Sequence, residues 1–243
     1  MPDLTVIIPT YNRPEILMNT VAALRHHLKG SRFVDILIGD DGDDTERLAF
    51  YFSKEAAMRL GTPMAQVIHG PKRGLGANLN MLLKATKTDI VLQIDDDHQL
   101  TEDLDISYHL NTLAHPPYNL PRIGWIRLYM GQKRDYDNWM TYYKFLGRTI
   151  GPYWWLYPSH GELYVASNRP HLKLVSMHTE HYGWYPEDVK LGETETAFCH
   201  QYAERYTEDK PGIVVPMFLQ ECWDHVTGEG SEHQGQSWQK EGL

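Results

Sequence analysis

The first hundred residues alternate four times between a short apolar run and a segment with helical periodicity. The apolar runs lie at residues 4–8, 33–38, 65–69 and 90–94. They are apolar nearly throughout, instead of at every second position, which is typical of parallel strands buried on both faces. The segments between them supply the crossover connections that parallel strands require. The pattern therefore predicts an α/β fold with a mostly parallel sheet flanked by helices, in which ligands bind beyond the carboxyl ends of the strands.

The remaining elements are predicted from the same periodicities. The helices between the first four strands are expected at about residues 15–29, 45–60 and 72–85. Later in the chain we expect a helix from Leu100 to about Leu113, a strand over 123–129 and a helix over 196–206. An aromatic stretch at 151–158 could stack on sugar or base rings or could fill the core, and both interpretations stay open. The glycine-containing tail, 228–243, is predicted to be a mobile loop that could act as a lid.

Three consecutive carboxylates, Asp95, Asp96 and Asp97, follow the apolar run at 90–94. Adjacent negative charges at a strand end repel one another unless a counter-charge lies nearby. A divalent cation would supply that charge, and a solvated acidic turn is the alternative. Because alternate residues of an extended chain project to the same side, Asp95 and Asp97 can face one site while Asp96 points elsewhere. Carboxylate oxygens favour Mg²⁺, Mn²⁺ or Ca²⁺ over zinc.

Two other predicted strands also end in polar residues. Thr10-Tyr11-Asn12-Arg13 follows the first strand, and Asp40-Asp41 follows the second. Since the carboxyl ends of parallel strands meet at one edge of a sheet, we expect these residues and the acidic triplet to line one site. The aspartates after the second strand could also form a turn and cap the next helix, and both roles stay open for different aspartates.

Charge and composition exclude several classes of protein. The net charge of −9 argues against a protein that binds nucleic-acid backbones by bulk charge. The two cysteines, Cys199 and Cys222, have no zinc-site spacing and suit a reducing compartment. No apolar run approaches the roughly 18 residues of a transmembrane segment, and the N-terminus lacks the basic region of a signal peptide. We therefore expect a cytoplasmic protein.

Four motifs, taken in order and spacing, resemble family-2 nucleotide-sugar glycosyltransferases of the GT-A fold. Val-Ile-Ile-Pro-Thr-Tyr-Asn-Arg at 6–13 is similar to their first strand, and Ile38-Gly39-Asp40-Asp41-Gly42 begins a likeness to their second-strand motif. The segment 73–80 is similar to their glycine-rich helix start, and Asp95-Asp96-Asp97 stands where they carry an Asp-X-Asp metal motif. The resemblance covers about residues 4–100, with a fainter likeness at 183–202.

The resemblance implies one glycosyltransferase domain, with a nucleotide-sugar-binding half at 1–99 and an acceptor-binding half at 100–243. The donor would be a nucleoside-diphosphate sugar, most often a UDP-sugar, and Mn²⁺ or Mg²⁺ would neutralise the diphosphate. The acceptor could be a glycan, a lipid-linked sugar, a small metabolite, a protein or a modified DNA base.

Specific residues are predicted for each role. The metal ligands would be Asp95 and Asp97, and the resemblance adds a histidine near the C-terminus, with His225 preferred and His233 the alternative. The predicted donor-binding residues are Pro9, Thr10, Tyr11, Arg13, Asp40, Asp41, Arg73, Gly74, Asn78, Asp95 and Asp96. Lys72 and Arg73 could bind a phosphate or the base edge, or could belong to a solvated loop.

An inverting transfer needs a general base beside the acceptor hydroxyl. The candidates are Glu193, then Glu195, then Asp188. The family usually carries a Glu-Asp pair followed by a further acid, and the departure to Glu193-Thr194-Glu195 leaves the assignment open. These acids could instead favour the N-terminus of the next helix. A retaining transferase, a nucleotidyltransferase and a non-catalytic binding module are the rival interpretations.

Overall fold

The structure, a computed structural model, describes residues 2–43, 45–54, 57–58, 65–115, 122–128, 148–156, 165–166, 168–187, 189–190, 192–217 and 222–226. The strands are β1 Asp3–Thr10, β2 Leu28–Lys29, β3 Arg32–Asp40, β4 Gln66–His69, β5 Ile90–Gln93, β6 His98–Leu100, β7 Leu104–Asp105, β8 Ile123–Arg127, β9 Arg148–Ile150, β10 Tyr153–Leu156, β11 His171–Leu174, β12 Gly212–Pro216 and β13 Trp223–His225. The α-helices are α1 Pro14–His27, α2 Thr45–Tyr51, α3 Leu75–Ala85, α4 Ser107–Ala114 and α5 Thr194–Arg205. A short π-helical turn covers Met177–His181.

Nine of these strands form one sheet in the order β4-β3-β1-β5-β11-β8-β12-β10-β9. Strands β4, β3, β1 and β5 are mutually parallel, as their sequence pattern predicts. Strand β11 is antiparallel to both β5 and β8, and β10 is antiparallel to both β12 and β9. Since β8 is parallel to β12, only β11 and β10 oppose the common direction in this sheet. The predicted mostly parallel α/β architecture is confirmed.

Helices cover both faces of the sheet, which explains the continuous apolar runs. In β1, Val6 and Ile8 belong to one core cluster and Ile7 to the other. The first cluster takes its helical contribution from α1, α2 and α4, and the second takes it from α3 and α5. Because alternate residues of a strand project to opposite faces, a strand buried on both sides is apolar at most positions.

One predicted helix begins later than the sequence indicates. The expected start was Leu100, but residues 98–105 contain the short strands β6 and β7, and α4 begins at Ser107. Strand β6 pairs with β13, and β7 pairs with β2, so these residues are held by partners distant in sequence. The Asp105 carboxylate then accepts the Ser107 N–H at 2.8 Å at the start of the helix. Local periodicity does not encode such pairing.

A second predicted helix, at 45–60, is interrupted. Helix α2 ends at Tyr51, and residues 54, 57 and 58 are again helical after the break at 52–53. Residues 157–158 of the aromatic stretch and the tail from 228 lie outside the described residues. Within the described ranges, every helix is too short or too polar to span a membrane.

Candidate active site

Strands β1, β3 and β5 bring three polar segments to one edge of the sheet. Thr10 pairs with Asp40 at the ends of β1 and β3, and Ile7 pairs with Gln93 at the end of β5. The Asp41 N–H donates to the Thr10 carbonyl at 3.1 Å. The acidic triplet begins two residues after Gln93. The predicted convergence of the three segments is therefore present in the structure.

Asp95, Asp97 and His98 form a cluster with the ligand types of a metal site. One ligand atom from each residue lies within 4.8 Å of the others. The His98 Nδ1 atom lies 3.2 Å from Asp97 Oδ1 and 4.0 Å from Asp95 Oδ2. Burial and the charges of Asp97 and Asp96 hold the pKa of Asp95 well above its usual range. A dication would relieve this crowding of negative charge, so these residues fit a divalent metal ion.

Asp96 projects away from this cluster and anchors the loop. Its Oδ2 accepts the Thr10 hydroxyl at 2.6 Å, and the Thr20 hydroxyl donates to its carbonyl at 2.6 Å. Burial raises its pKa to about 6, although Arg13 and Thr10 oppose the shift. Asp96 is only 5% exposed, so these contacts favour a structural role. Its predicted contact with a donor stays a prediction.

Arg13 supplies part of the counter-charge that the triplet needs. Its Nη1 donates to Asp96 Oδ1 at 3.1 Å and to Asp97 Oδ2 at 2.9 Å. Sequence reasoning assigned Arg13 to donor binding and did not anticipate this pairing. A guanidinium between two carboxylates also fixes their orientation, because its donors are rigidly arranged.

The segment that contains His225 runs directly beside the metal-type cluster. Strand β13 is antiparallel to β6, and His225 pairs with His98 in the register. The Val226 N–H donates to the Asp97 carbonyl at 2.8 Å. The backbone therefore places His225 next to the site, whereas His233 lies outside the described residues. Sequence reasoning missed His98 itself, although it directly follows the triplet.

Asp40 and Asp41 have different surroundings. Asp40 accepts the Gly42 N–H at 2.9 Å and the Thr45 hydroxyl at 2.7 Å, so it holds the turn into α2. Asp41 accepts the Lys72 N–H at 3.2 Å and thus joins the loop that precedes α3. Burial raises the pKa of Asp41 to about 6. Of the two roles that the sequence left open, Asp40 therefore fills the turn, and donor binding by either aspartate stays a prediction.

The glycine-containing segment before α3 contacts the second half of the chain. Gly74 adopts φ +90° immediately before α3, a conformation that favours glycine. Arg73 forms an ion pair with Glu187 at 3.1 Å. The Asn78 side chain donates to the Gly39 carbonyl at 2.8 Å, and this bond ties α3 to β3. Asn78 is therefore held in a structural contact, and its donor-binding role stays a prediction.

The candidate general bases differ in their exposure and in their contacts. Glu193 is exposed at the start of α5, and Asp188 lies outside the described residues. Glu195 is partly buried, and its Oε1 accepts the Asn168 N–H at 2.8 Å. The Glu195 charge contributes to the raised pKa of Asp95, which places the two carboxylates in the same site. The structure thus brings Glu195, the second choice from the sequence, towards the metal-type cluster.

The aromatic side chains of β10 mainly build the core. Tyr153 and Trp155 are buried, and the Trp155 indole donates to the Tyr206 hydroxyl at 3.1 Å. At the end of β1, Pro9 is buried and Tyr11 is partly exposed just after it. The donor-binding roles of Pro9 and Tyr11 stay predictions.

Comparison with known proteins gives both a family and a fold. The model of the family described as "Glycosyl transferase family 2" matches residues 5–165. No curated relative matches the chain in sequence. Among solved structures, S. aureus TarS 1-349 in complex with UDP-GlcNAc is 16% identical with a TM-score of 0.59, over 95% of this chain and 60% of that one. The mannosyltransferase PcManGT from Pyrobaculum calidifontis, in complex with GDP-Man and Mn²⁺, is 18% identical with a TM-score of 0.58, over 90% of this chain and 58% of that one.

A third structure is the glucosyl-3-phosphoglycerate synthase from Mycobacterium tuberculosis in complex with Mn²⁺, UDP and glucosyl-3-phosphoglycerate. It is 16% identical with a TM-score of 0.53, over 93% of this chain and 73% of that one. At these identities the likeness shows a shared fold. The chain spans about three fifths of the TarS and PcManGT chains.

Proposed function

The chain belongs to glycosyl transferase family 2, and from that membership we propose that it transfers a sugar from a nucleoside-diphosphate sugar to an acceptor hydroxyl. The observation that carries the proposal is the convergence of Asp95, Asp97 and His98 with Thr10 and Asp41 at one edge of the sheet. Carboxylates at the carboxyl ends of parallel strands can bind a metal ion, and a metal ion there fits a reaction in which a nucleoside diphosphate is the leaving group.

Asp95, Asp97 and His98 would hold a divalent cation, with His225 as a further ligand from β13. When bound, Mn²⁺ or Mg²⁺ would neutralise the charge that develops on the leaving diphosphate. The complexes of PcManGT and of the glucosyl-3-phosphoglycerate synthase with Mn²⁺ support a metal of this type. Arg13 would keep Asp97 oriented and would add positive charge close to the phosphates.

The donor would lie across the ends of β1 and β3. Tyr11 would stack on the base, and Asp41 would accept from a base N–H or a ribose hydroxyl. Arg73 would contact a phosphate or the base edge beside the N-terminus of α3, whose free N–H groups favour anions. UDP is the first choice of nucleotide, supported by the UDP-GlcNAc complex of TarS.

Glu195 is the residue that we propose as the general base of an inverting transfer. It is held by the Asn168 N–H and shares the site with Asp95, whereas Glu193 is exposed at the helix start. The half of the chain from residue 100 onwards would then bind the acceptor within the same domain as the donor half.

A panel of UDP- and GDP-sugars tests this proposal. We expect the protein with Mn²⁺ to release free nucleoside diphosphate from at least one donor. We expect EDTA or Asp97→Ala to abolish that release. Release of the sugar 1-phosphate instead, by cleavage between the two phosphates of the donor, would indicate nucleotidyl transfer. Metal-dependent binding without release from any donor would contradict the proposal and would indicate a binding module.

A further inference from the structure

Lys173 lies on β11 in the middle of the sheet and is fully buried. Its Nζ donates to Gln93 Oε1 at 2.7 Å and to the Tyr185 hydroxyl at 2.8 Å. The ammonium also lies 4.8 Å from the centre of the Trp125 ring and 4.7 Å from that of Tyr185. Among the described residues, no carboxylate forms an ion pair with it. This group is therefore held by neutral oxygens and aromatic faces alone.

Burial of the Lys173 ammonium in this environment lowers the free energy of unfolding. An ammonium removed from water without an acidic partner destabilises a protein, and an apolar side chain of the same length would fill the space without that cost. Burial holds the pKa of Lys173 well below its usual range. Where a protein keeps a polar network in its core, the network can specify one arrangement of the groups that it connects.

The network leads from Lys173 to both sides of the proposed site. Gln93 ends β5, two residues before Asp95. Its Nε2 donates to Asn168 Oδ1 at 3.3 Å, and the Asn168 N–H donates to Glu195 Oε1 at 2.8 Å. Since the Lys173 Nζ donates to Gln93 Oε1, it fixes the Gln93 amide with its oxygen towards the lysine and its nitrogen towards Asn168.

Tyr185 carries the second connection. Its backbone N–H donates to Asn80 Oδ1 and its carbonyl accepts from Asn80 Nδ2, both at 2.9 Å. The hydroxyl that accepts from Lys173 also donates to Gln93 Oε1 at 3.3 Å. The loop before α5 is thus joined to α3 and to β5 through one residue.

We propose that Lys173 is a positioning residue, which fixes Glu195 relative to Asp95 by orienting the Gln93 amide and the Tyr185 hydroxyl. The inference rests on the proposed function, in which Glu195 is the base and Asp95 a metal ligand. Lys173 contacts neither substrate nor metal in this account, and it acts through the residues that do.

Lys173→Met is the direct test, since methionine has a similar length but no charge and no donor. We expect kcat for nucleoside diphosphate release to fall about tenfold or more, while the donor KM and the Kd for UDP with Mn²⁺ change by less than about twofold. Lys87→Met, at an exposed lysine, is the matched control and should leave all three values unchanged. A lower melting temperature with unchanged kcat would overturn the inference and show a merely structural role.

Asn168→Leu removes the hydrogen bond between Gln93 and Asn168 in the same network. It tests the positioning role of Lys173 if Lys173→Met does not fold. Leucine keeps the backbone N–H that serves Glu195 but offers no acceptor to Gln93. We expect a similar loss of kcat, and the double variant should lose no more than either single variant. Full kcat in Asn168→Leu would overturn the inference.

Amide hydrogen exchange separates this inference from the proposed function, because it needs no turnover. In Lys173→Met we expect the Asn168 N–H to exchange at least about tenfold faster, while the amides of β1 keep their rates. If the wild-type protein releases no nucleoside diphosphate, the proposed function fails, but the exchange measurement still tests the positioning. An unchanged rate at Asn168 would overturn it.

Discussion

Burial changes the pKa of Asp41, and this change makes the stability of the protein depend on pH. Burial raises its pKa to about 6, although the Lys72 N–H stabilises the ionised form. Its pKa when unfolded is lower, so the folded protein binds a proton that the unfolded chain releases. The stabilising effect of this proton is complete below about pH 4 and is lost as the pH rises through about 6.

Asp41→Asn should remove this dependence on pH. The amide oxygen can still accept the Lys72 N–H, but it carries no charge. We expect the variant to be more stable than the wild type at pH 7.5, by up to about 3 kcal/mol, and equally stable near pH 4. Urea unfolding of both proteins at the two pH values measures the difference. An equal gain at both pH values would contradict the ionisation of Asp41 as its cause.

Glu195 and Glu193 form a natural pair for testing the base. Glu195→Gln keeps an oxygen for the Asn168 N–H but removes the proton acceptor, so the rate of nucleoside diphosphate release should fall by roughly 10²- to 10⁴-fold. Glu193→Gln should change the rate by less than about twofold, because Glu193 is exposed at the start of α5. Initial rates with the best donor decide between them. The reverse order of effects would restore Glu193 as the base.

Several site residues were predictable from the sequence, and others were not. Asp95 and Asp97 were expected to share one side of an extended strand, but β5 ends at Gln93 and the triplet forms a turn, in which the His98 N–H donates to the Asp95 carbonyl at 3.3 Å. This turn brings Asp95 and Asp97 into one cluster and places Asp96 against Thr10. The roles of Asp96 and Arg13 depend on contacts between the segments that follow β1 and β5, and no local pattern encodes these contacts. His98 had one usable signal, its position directly after the triplet.

Among the elements, α3 packs closely against the loop that precedes α5. A Cβ added to Gly76 would lie 2.1 Å from the Pro186 carbonyl oxygen and 3.3 Å from Thr194 Cγ2. Only glycine leaves room for the backbone of the loop before α5. The same helix carries Asn80, which donates to Glu187 Oε1 at 2.9 Å. Helix α3, in the first half of the chain, therefore holds a loop of the second half.

Gly76→Ala tests that packing, because the substitution either lowers or raises the free energy of unfolding. In an open helix position, glycine to alanine stabilises a protein by up to about 1 kcal/mol. Here the clash with backbone should destabilise it by about 1–3 kcal/mol. Urea unfolding at constant pH measures the change. A stabilised variant would show that the loop can move away from α3 at little cost.

At the scale of the whole molecule, one region of the sheet could be predicted from the sequence and the other could be predicted only in part. The parallel strands β4, β3, β1 and β5 follow one another through helical connections, so local periodicity was enough to predict them. Beyond β5 the neighbour is β11, which is distant in sequence and antiparallel. Such non-local pairing has no local signature, and the second half was therefore predicted only in fragments.

The two regions meet where the chemistry is proposed. The parallel region supplies the metal-type cluster. Helix α5 from the second half brings Glu195 towards it, and β13 places the backbone of His225 beside His98. The central claim is that the acidic edge becomes a site only when a dication and a nucleoside diphosphate complete it.

Calorimetric titration of UDP, and of GDP, into the protein with Mn²⁺ and with EDTA tests this claim most directly. We expect binding with Mn²⁺ to be at least about tenfold tighter than with EDTA, and Asp97→Ala to remove the difference. Equal affinity with and without the metal, or an unchanged metal effect in Asp97→Ala, would contradict the account.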